Sequence, residues 1–196
     1  MDNERQFDEC SKVRALRLWD TGEFARIEVG TFEGLRQIHK HLFYDIPGYN
    51  AGKLREVNIS KDNFLFASAL YLPQAVKAVE DLPQQTFEQI MDKYIEMNIV
   101  HPFIEGNGRA TRLWLDQMLK QELNVCVDWQ LVDKQEYLDF MRLSPTNSKY
   151  ITQLLRSALT EQIHNREIFM KGIDQSYAYE SSKAQDLSSL ISHDEM

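Results

Sequence analysis

The chain has 196 residues, a formal net charge of −8 and two cysteines, Cys10 and Cys126. The length is enough for one sizeable hydrophobic core, and the acidic balance argues against a general nucleic-acid or anionic-membrane surface. Two cysteines are too few for a disulfide framework or a zinc site, no signal peptide is visible, and no stretch approaches the roughly 18 apolar residues of a membrane span. We therefore expect a soluble, cytoplasmic protein that binds no nucleic acid and no membrane.

The first part of the chain predicts two helices. Apolar residues at helical spacing from about residue 8 to residue 19 predict the first. Thr31 can cap the second, which contains His39 and His41. We interpret both histidines as surface or packing residues.

A β-hairpin is predicted between about residues 53 and 67. Apolar residues alternate on either side of the polar run 60–63, which is the pattern of two short strands joined by a tight connection. It is the only convincing β signal in the chain. The residues that we assign to the hairpin are Val57, Asn58, Ile59, Ser60, Phe64 and Phe66.

Two helices then lead to the most informative segment. Pro73 suits the first turn of a helix through Val79, and Thr86 can cap a strongly amphipathic helix that delivers His101 into a loop. From His101 to Arg112 the sequence is H-P-F-I-E-G-N-G-R-A-T-R. An imidazole is followed by a carboxylate, by two glycines on either side of an amide, and by two guanidinium groups at the start of a helix.

This order of groups suits a polyphosphate that carries a divalent cation. Successive backbone N–H groups of such a turn point inward and form an anion nest, and the helix start adds partial positive charge. Arg109 and Arg112 are about one turn apart on the new helix and can grip neighbouring phosphates bidentately. No Gly-Lys-Ser/Thr follows the glycines, so the segment is not a Walker A loop.

The segment resembles the signature of the Fic family, H-x-F-x-(D/E)-G-N-G-R-x-x-R, with every fixed position filled. The resemblance implies an all-α fold, a Fic-type helical bundle with one β-hairpin flap. In this family the flap lies over the active site and pins the backbone of the target protein beside it. We place the Fic domain at residues 1–172.

The resemblance further implies transfer of AMP from ATP to a tyrosine, serine or threonine hydroxyl of a target protein, with release of pyrophosphate. In that reaction His101 would be the catalytic base, and Glu105 would hold Mg²⁺ against the phosphates. Phe103 would anchor the loop in the core. The phosphate-binding groups would be the N–H groups of Gly106, Asn107 and Gly108, the Asn107 side chain, and the guanidinium groups of Arg109 and Arg112, of which Arg112 would take the γ-phosphate.

Downstream of the motif, the pattern predicts a short apolar link at 125–129 and three further helical segments. Asp133 can cap the first of these, which ends at Ser144. The second runs from about residue 147 to residue 164. A last helical turn from 166 to 170 ends at Gly172.

The carboxyl end holds a second, shorter motif. Ser176 and Glu180 are four residues apart, so they share one face of a helix. The segment resembles the inhibitory motif (S/T)-x-x-x-E-(G/N) of class III bacterial Fic proteins, which carry it on a C-terminal helix, although Ser181 replaces the usual last residue. The resemblance implies an autoinhibitory helix at 173–181, in which Glu180 pairs with Arg112 and occupies the space of the γ-phosphate.

Two expectations concern the surroundings of this motif. Tyr177 and Tyr179 flank the inhibitory glutamate and are candidate sites of self-modification. Residues 182–196 are polar and mixed in charge, which is typical of a disordered tail.

Other activities stay open from the sequence. Some Fic proteins remove AMP, in which case Glu180 would activate a metal-bound water. A catalytically silent binding or toxin-partner module is the alternative from another functional class. A Doc-like kinase is disfavoured because that relative has lysine at the position of Gly108, and nothing selects phosphocholine transfer. By family analogy the targets include DNA gyrase and topoisomerase IV subunits, and a homodimer or homotetramer is consistent with the class.

Overall fold

The computed structural model of the chain describes residues 2–61 and 64–180. Ser181 and the segment 182–196, for which we predict a disordered tail, lie outside the described residues. The predicted all-α fold with a β-hairpin is confirmed. The helices are α1 (Asp2–Asp20), α2 (Phe32–Phe43), α3 (Leu72–Glu80), α4 (Phe87–Val100), α5 (Asn107–Leu123), α6 (Lys134–Leu143), α7 (Lys149–Ser157) and α8 (Arg166–Ala178), and the strands are β1 (Ser60–Lys61), β2 (Phe64–Leu65), β3 (Cys126–Val127) and β4 (Leu159–Thr160). Among the helices of the described ranges, none is both long enough and apolar enough to cross a membrane.

Side-chain caps set where two of the central helices begin. At the start of α2, the hydroxyl of Thr31 accepts a hydrogen bond from the N–H of Gly34 at 3.1 Å. Thr86 and Gln89 form a capping box at the start of α4, in which each side chain accepts from the N–H of the other residue. The second cap fixes the register in which α4 delivers His101 to the loop that follows.

The hydrophobic core lies between α2, α4 and α5. Tyr94 of α4 and Trp114 of α5 are among its largest fully buried side chains. The loop between these two helices contributes Phe103, which is also fully buried. Because burial of a phenylalanine side chain is worth about 1.5–3 kcal/mol, this residue anchors the loop in the core. The side chains of α2 that complete the core are Leu35, Ile38, Leu42 and Phe43.

The second pair of strands is not visible in the sequence pattern. β3 pairs with β4 in antiparallel register, with Cys126 opposite Thr160. The helix predicted from about residue 147 to residue 164 therefore ends at Ser157, and part of the link predicted at 125–129 is a strand. The two strands are far apart in the chain, so no local pattern reveals that each completes the hydrogen bonds of the other.

α8 is longer than the sequence predicts. It runs from Arg166 to Ala178 without a break, so the predicted helix end at Gly172 is wrong. Gly172 lies against the indole of Trp129, where an added Cβ would be 3.2 Å from the ring. The glycine therefore permits close packing of the helix and does not end it.

The predicted hairpin is present, but its strands are short. β1 and β2 are antiparallel, with Ser60 opposite Leu65 and Lys61 opposite Phe64. Beyond the strands, the N–H of Phe66 donates to the carbonyl of Ile59 at 3.3 Å. The hairpin brings its second arm close to the end of α4, because the N–H of Ala67 donates to the carbonyl of Ile99 at 3.3 Å.

Candidate functional site

His101 lies where α4 ends. Its backbone is in the left-handed region, with φ 51° and ψ 64°, and its N–H still donates to the carbonyl of Met97 at 3.0 Å. This conformation is uncommon for a residue other than glycine, and it turns the chain sharply out of the helix. Such a backbone persists only where the surroundings hold it in place.

The imidazole of His101 has one orientation. Its Nδ1 lies 3.2 Å from the carbonyl oxygen of Asn98, which can only accept, so Nδ1 carries the proton and Nε2 is the acceptor. The ring of Phe66 stacks on the imidazole with centroids 3.8 Å apart. Burial lowers the pKa of the imidazole to about 4. The ring is therefore neutral at pH 7 and can take a proton at Nε2.

Asn107 and His39 fix the loop that follows. The Asn107 side chain accepts from the N–H of Phe103 at 2.9 Å and donates to its carbonyl at 2.8 Å. The His39 ring stacks on Phe103, donates from Nε2 to the carbonyl of Glu105 at 2.8 Å, and accepts at Nδ1 from the N–H of Gly52 at 2.9 Å. Both polar atoms of the Asn107 side chain thus serve the loop, whereas the sequence predicts an extra phosphate donor there.

His39 has a role that the sequence does not reveal. It is fully buried, and burial lowers the pKa of its imidazole to about 4. The neutral ring can donate at one nitrogen and accept at the other, and so it positions the backbone of Glu105 in addition to packing. Helical spacing places His39 on the same face of α2 as Leu35 and Leu42 and leaves His41 on the exposed side, so periodicity could have marked His39 as buried.

Two glycines at the start of α5 allow other side chains to lie close to the backbone there. Gly106 has a φ of 78°, and a Cβ there would lie 2.5 Å from the ring of Phe43. At Gly108, an added Cβ would lie 2.6 Å from Oε1 of Glu180. A carboxylate therefore lies against the first turn of α5, where backbone N–H groups and the helix dipole favour an anion.

The carboxylate of Glu180 is joined to Arg112. Nη2 of Arg112 donates to Oε1 of Glu180 and to the carbonyl of Ser176, both at 2.9 Å, and its Nε donates to the Ser176 hydroxyl at 2.7 Å. Lys61 of β1 reaches the second oxygen, with 3.7 Å between Nζ and Oε2. Burial alone would raise the pKa of the Glu180 carboxyl, but Arg112, Arg109 and Lys61 lower it to about 2. Ser176 and Glu180 thus both contact Arg112, which the sequence names as the partner of Glu180.

Arg109, the other arginine of the motif, has different hydrogen-bond partners from Arg112. Its guanidinium donates to Asp8 at 2.7 Å and to the hydroxyl of Tyr49 at 2.8 Å, and it lies 3.4 Å from Oε1 of Glu105. It also lies over the rings of Tyr49 and Tyr177. Burial alone would lower the pKa of this group, but Tyr177, Tyr49 and Asp8 raise it. To bind a phosphate, as we expect from the sequence, Arg109 would have to exchange its contacts with α1 and Tyr49.

One pocket collects most of the motif. Glu105 lies at its edge with 58% of its side chain exposed, and its Oε1 accepts from the N–H of Gly106 at 3.0 Å. Leu138 and Met141 of α6 form an apolar wall. The other residues that line the pocket are Lys61, Asn98, His101, Gly106, Asn107, Gly108, Arg112, Tyr137 and Glu180.

The hairpin residues named from the sequence differ in exposure. Phe64 and Phe66 contact each other edge to face, with centroids 5.3 Å apart, and Phe66 covers His101. Val57, Asn58 and Ser60 are exposed, and Ile59, Phe64 and Phe66 are partly buried.

The two tyrosines beside Glu180 are buried. Tyr177 is 2% exposed and Tyr179 is 4% exposed. The hydroxyl of Tyr177 is hydrogen-bonded to that of Ser11, and the hydroxyl of Tyr179 donates to the carbonyl of Val132 at 3.1 Å. Self-modification of either hydroxyl would require α8 to leave its present position.

The model of the Fic/DOC family matches residues 30–119, which include α2, the hairpin, α4, the motif loop and most of α5. The chain belongs to the Fic/DOC family. It is similar to the protein adenylyltransferase VbhT of Bartonella schoenbuchensis, with 33% identity over 177 residues, and to the probable protein adenylyltransferase Fic of Escherichia coli, with 31% identity over 114 residues. These matches cover 84% and 53% of this chain but 36% and 56% of the two relatives, so the chain spans about half of their length or less.

Solved structures of Fic-family proteins share the fold. The BepC protein of Bartonella tribocorum, determined with bound AMPPNP, has a TM-score of 0.64 and 18% identity, covering 81% of this chain and 87% of that chain. The N-terminal Fic domain of a cell filamentation protein of Bartonella quintana, with bound ADP, has a TM-score of 0.65 and 16% identity. The match covers 83% of this chain and 88% of that chain. Both likenesses place the helices of this chain in the Fic arrangement.

Proposed function

We propose that this Fic-family chain is a protein adenylyltransferase, which transfers AMP from ATP to a tyrosine, serine or threonine hydroxyl of a target protein. The observation that carries the proposal is that His101, Glu105 and the first turn of α5 line one pocket. A base, a carboxylate suited to a cation and an anion nest are the parts that nucleotidyl transfer requires. The names of the relatives VbhT and Fic support the same reaction.

His101 would act as the general base. Its neutral imidazole keeps Nε2 available, because Nδ1 is held by the carbonyl of Asn98. As the target hydroxyl attacks the α-phosphorus of ATP, its proton would move to Nε2. The bond between the α-phosphorus and the oxygen that bridges to the β-phosphorus would break, and pyrophosphate would leave. The stacked ring of Phe66 would stabilise the imidazolium through its π face.

The phosphates would lie on the amino end of α5. The first backbone N–H groups of a helix have no partner within it, and Gly106, Asn107 and Gly108 line the pocket that would hold the phosphates. The N–H of Gly106 would have to exchange its present hydrogen bond to Oε1 of Glu105. Arg112 would take the γ-phosphate in place of Glu180. Arg109 would contribute only if it exchanged its present partners on α1.

Glu105 fits the requirements of a Mg²⁺ ligand. Its side chain is more than half exposed at the pocket edge and offers hard oxygen atoms. Within the described ranges, no cluster of three or more histidine, cysteine, aspartate or glutamate side chains could hold a metal ion. Mg²⁺ is commonly bound by one or two carboxylates together with substrate phosphates and water, so a single protein carboxylate suits it. When bound, the ion would neutralise charge on the phosphates.

The segment 173–181 would be a built-in inhibitor. Glu180 holds the hydrogen bond from Arg112 that a γ-phosphate would need, and Gly108 leaves the space in which the carboxylate lies. ATP would therefore compete with a carboxylate that is already close to Arg112 and Lys61. Release of α8, or loss of the carboxylate, would open the site.

Removal of AMP is the second candidate, because Glu180 lines the same pocket as His101. In that reaction the carboxylate would take a proton from water. A base is most effective when its pKa lies near the working pH. The pKa of Glu180 is lowered to about 2 while Arg112 holds it, so this contact favours a blocking role over a basic one.

The test compares ATP labelled at the α-phosphate with ATP labelled at the γ-phosphate. The parent, Glu180→Gly and Glu180→Gly/His101→Ala proteins are incubated with Mg²⁺ and bacterial lysate. Protein-bound α-label that rises in Glu180→Gly and disappears without His101 is the expected result. Label from the γ-position alone would indicate a kinase. Absence of label from either position would overturn adenylyl transfer, and release of AMP from a pre-modified protein would then support the second candidate.

A further inference from the structure

We infer that Arg55 is a positioning residue for the proposed transfer reaction, because its guanidinium joins both arms of the hairpin to the backbone of His101. The inference rests on the proposed function, since it assigns to this residue the alignment of base and target hydroxyl. Arg55 lies before the two strands of the hairpin and outside the 101–112 motif. Its sequence neighbours give no sign of the role.

Four hydrogen bonds converge on this one side chain. Nε donates to the carbonyl of His101 at 2.8 Å, and Nη1 donates to that of Val57 at 2.7 Å. Nη2 donates to the carbonyl of Ala67 and, at 3.1 Å, to that of Val100. Val57 belongs to the first arm of the hairpin and Ala67 to the second, whereas the other two carbonyls end α4. A planar group with five N–H donors in a fixed geometry can span these three segments.

The electrostatic setting is that of a helix cap. Arg55 is 4% exposed, and within the described part of the chain no carboxylate pairs with it. Its partners are instead backbone carbonyls, two of which stand at the carboxyl end of α4, where unpaired carbonyls and the helix dipole favour a cation. Burial lowers the pKa of the guanidinium, but an arginine stays charged at neutral pH.

The bonds fix the base as well as the hairpin. The backbone N–H of Arg55 donates to the carbonyl of Pro102 at 2.9 Å, so three consecutive carbonyls from Val100 to Pro102 are held by one residue. These carbonyls surround the left-handed backbone of His101. On the other side, Ala67 adjoins Phe66, whose ring stacks on the imidazole. One side chain therefore sets the distance between Nε2 and the hairpin beside which a target hydroxyl would lie.

The nucleotide side of the pocket has separate supports. The turn at Gly106 and Asn107 is held by Phe103 and His39, and none of these hydrogen bonds involves Arg55. Loss of Arg55 should therefore impair the transfer step and leave ATP binding intact. A displacement of about 1 Å in the reacting groups can cost roughly 100-fold in rate, so the expected effect on kcat is of that order.

The experiment uses the full chain with Glu180→Gly as the active background. Arg55→Met removes the bonds and keeps an unbranched stem, and Arg55→Lys keeps the charge but cannot span the three segments. Arg36→Met is the matched control, because Arg36 is half exposed in α2 and pairs only with Glu33 in the described contacts. For each protein we would measure kcat with α-labelled ATP, the dissociation constant of ATP, and amide hydrogen exchange of the hairpin and of α5.

The expected result is a loss of kcat of roughly 100-fold in Arg55→Met and a smaller but clear loss in Arg55→Lys. The ATP dissociation constant and exchange in α5 should stay as in the background protein, while exchange in the hairpin becomes faster. Arg36→Met should change none of these quantities. An unchanged kcat would overturn the inference, as would an equal loss of ATP affinity and of protection in α5, which would mean that Arg55 only stabilises the fold.

The proposed function can fail without deciding this inference. If the Glu180→Gly background transfers no label, adenylyl transfer is wrong whatever Arg55 does. Hairpin exchange and the NMR signal of the His101 imidazole then test the positioning role directly, because both should change in Arg55→Met. If Arg55→Met does not fold, hairpin exchange and the His101 imidazole signal are measured in Arg55→Lys. Values equal to those of the background protein would overturn the positioning role of Arg55.

Discussion

Oε1 of Glu180 lies 2.9 Å from Nη2 of Arg112, although the two residues are 68 positions apart. The contact closes the end of α8 onto the first turns of α5. A Cβ added to Gly108 would lie only 2.6 Å from this same oxygen, so the carboxylate occupies the amino end of α5, where a helix favours an anion. Docking of α8 and occupation of the proposed phosphate site are therefore one event.

Removal of the Glu180 charge should activate the protein. In Glu180→Gly both the carboxylate and its bulk are lost, and a charge-assisted hydrogen bond of about 1.5–3 kcal/mol no longer competes with ATP. We expect the initial rate of AMP incorporation to rise roughly 10- to 100-fold, the factor that this energy corresponds to. Glu180→Gln is the matched control for size and should activate less. Equal rates in the parent and Glu180→Gly proteins would contradict the inhibitory role.

The proposed inhibition by Glu180 should not depend on pH in the physiological range. The pKa of Glu180 is about 2 in the folded protein, below its ordinary value of 4.5, so the charged form is stabilised. Its contribution is complete above the ordinary pKa and is lost only as the pH falls from there through about 2. The ratio of rates between Glu180→Gln and the parent should therefore stay constant from about pH 6 to about pH 9. His101, whose pKa burial lowers to about 4, is neutral in the parent throughout this range, and loss of the Glu180 charge would only lower that pKa further. A ratio that approaches one on mild acidification would show that the folded pKa is not lowered.

α1 should help to hold α8, which carries most of the proposed inhibitory segment. Lys12 pairs with Asp174 of α8 at 2.8 Å, with 2% and 15% of the side chains exposed. Arg166 pairs with Asp20 between the same two helices, but those side chains are 48% and 41% exposed. Disruption of a buried pair costs about 3–5 kcal/mol, whereas an exposed pair is worth about 1 kcal/mol or less. Lys12→Met should therefore raise the activity of the parent several-fold, and Arg166→Met should leave it almost unchanged.

The Glu180→Gly background checks that Lys12 acts through α8. There the phosphate site is already open, so addition of Lys12→Met should produce little further activation. Initial rates of the four combinations of these two substitutions form the required cycle. Activation by the same factor in both backgrounds would mean that the Lys12 contact affects the rate independently of the inhibitory glutamate.

Most residues of the candidate site could be named from the sequence because they are consecutive in the chain. The order of groups from His101 to Arg112 indicates a base, a cation ligand and an anion nest without knowledge of the fold. The residues that hold the site in place could not be predicted in the same way. Arg55 and His39 bind backbone carbonyls of distant segments, which every sequence supplies, so no residue pattern marks these contacts. The contacts of Arg109 depend on Asp8 of α1, 101 positions away, and for that reason its present orientation was not predictable.

The same distinction applies to the fold. Thr31 and Thr86 act on N–H groups within one turn, so the starts of α2 and α4 follow from local sequence. β3 and β4 exist only because they pair with each other, and Gly172 lies inside a helix because it packs on Trp129. In both cases the deciding partner is remote in the chain, and helical periodicity or a lone glycine is then a poor guide.

Gly106 should be essential for stability of the motif loop. Its φ of 78° disfavours any other residue by about 1–2 kcal/mol, and a Cβ would meet the ring of Phe43 at 2.5 Å. Gly22 is the matched control, because its φ is 70° and nothing lies within 4 Å of an added Cβ. Alanine at Gly22 should lower the free energy of unfolding by about 1 kcal/mol, which is the backbone cost alone. Alanine at Gly106 should lower it by about 3 kcal/mol, because overpacking adds to the same backbone cost. Urea unfolding of the two variants measures the difference, and equal losses would mean that Phe43 moves aside freely and does not confine the loop.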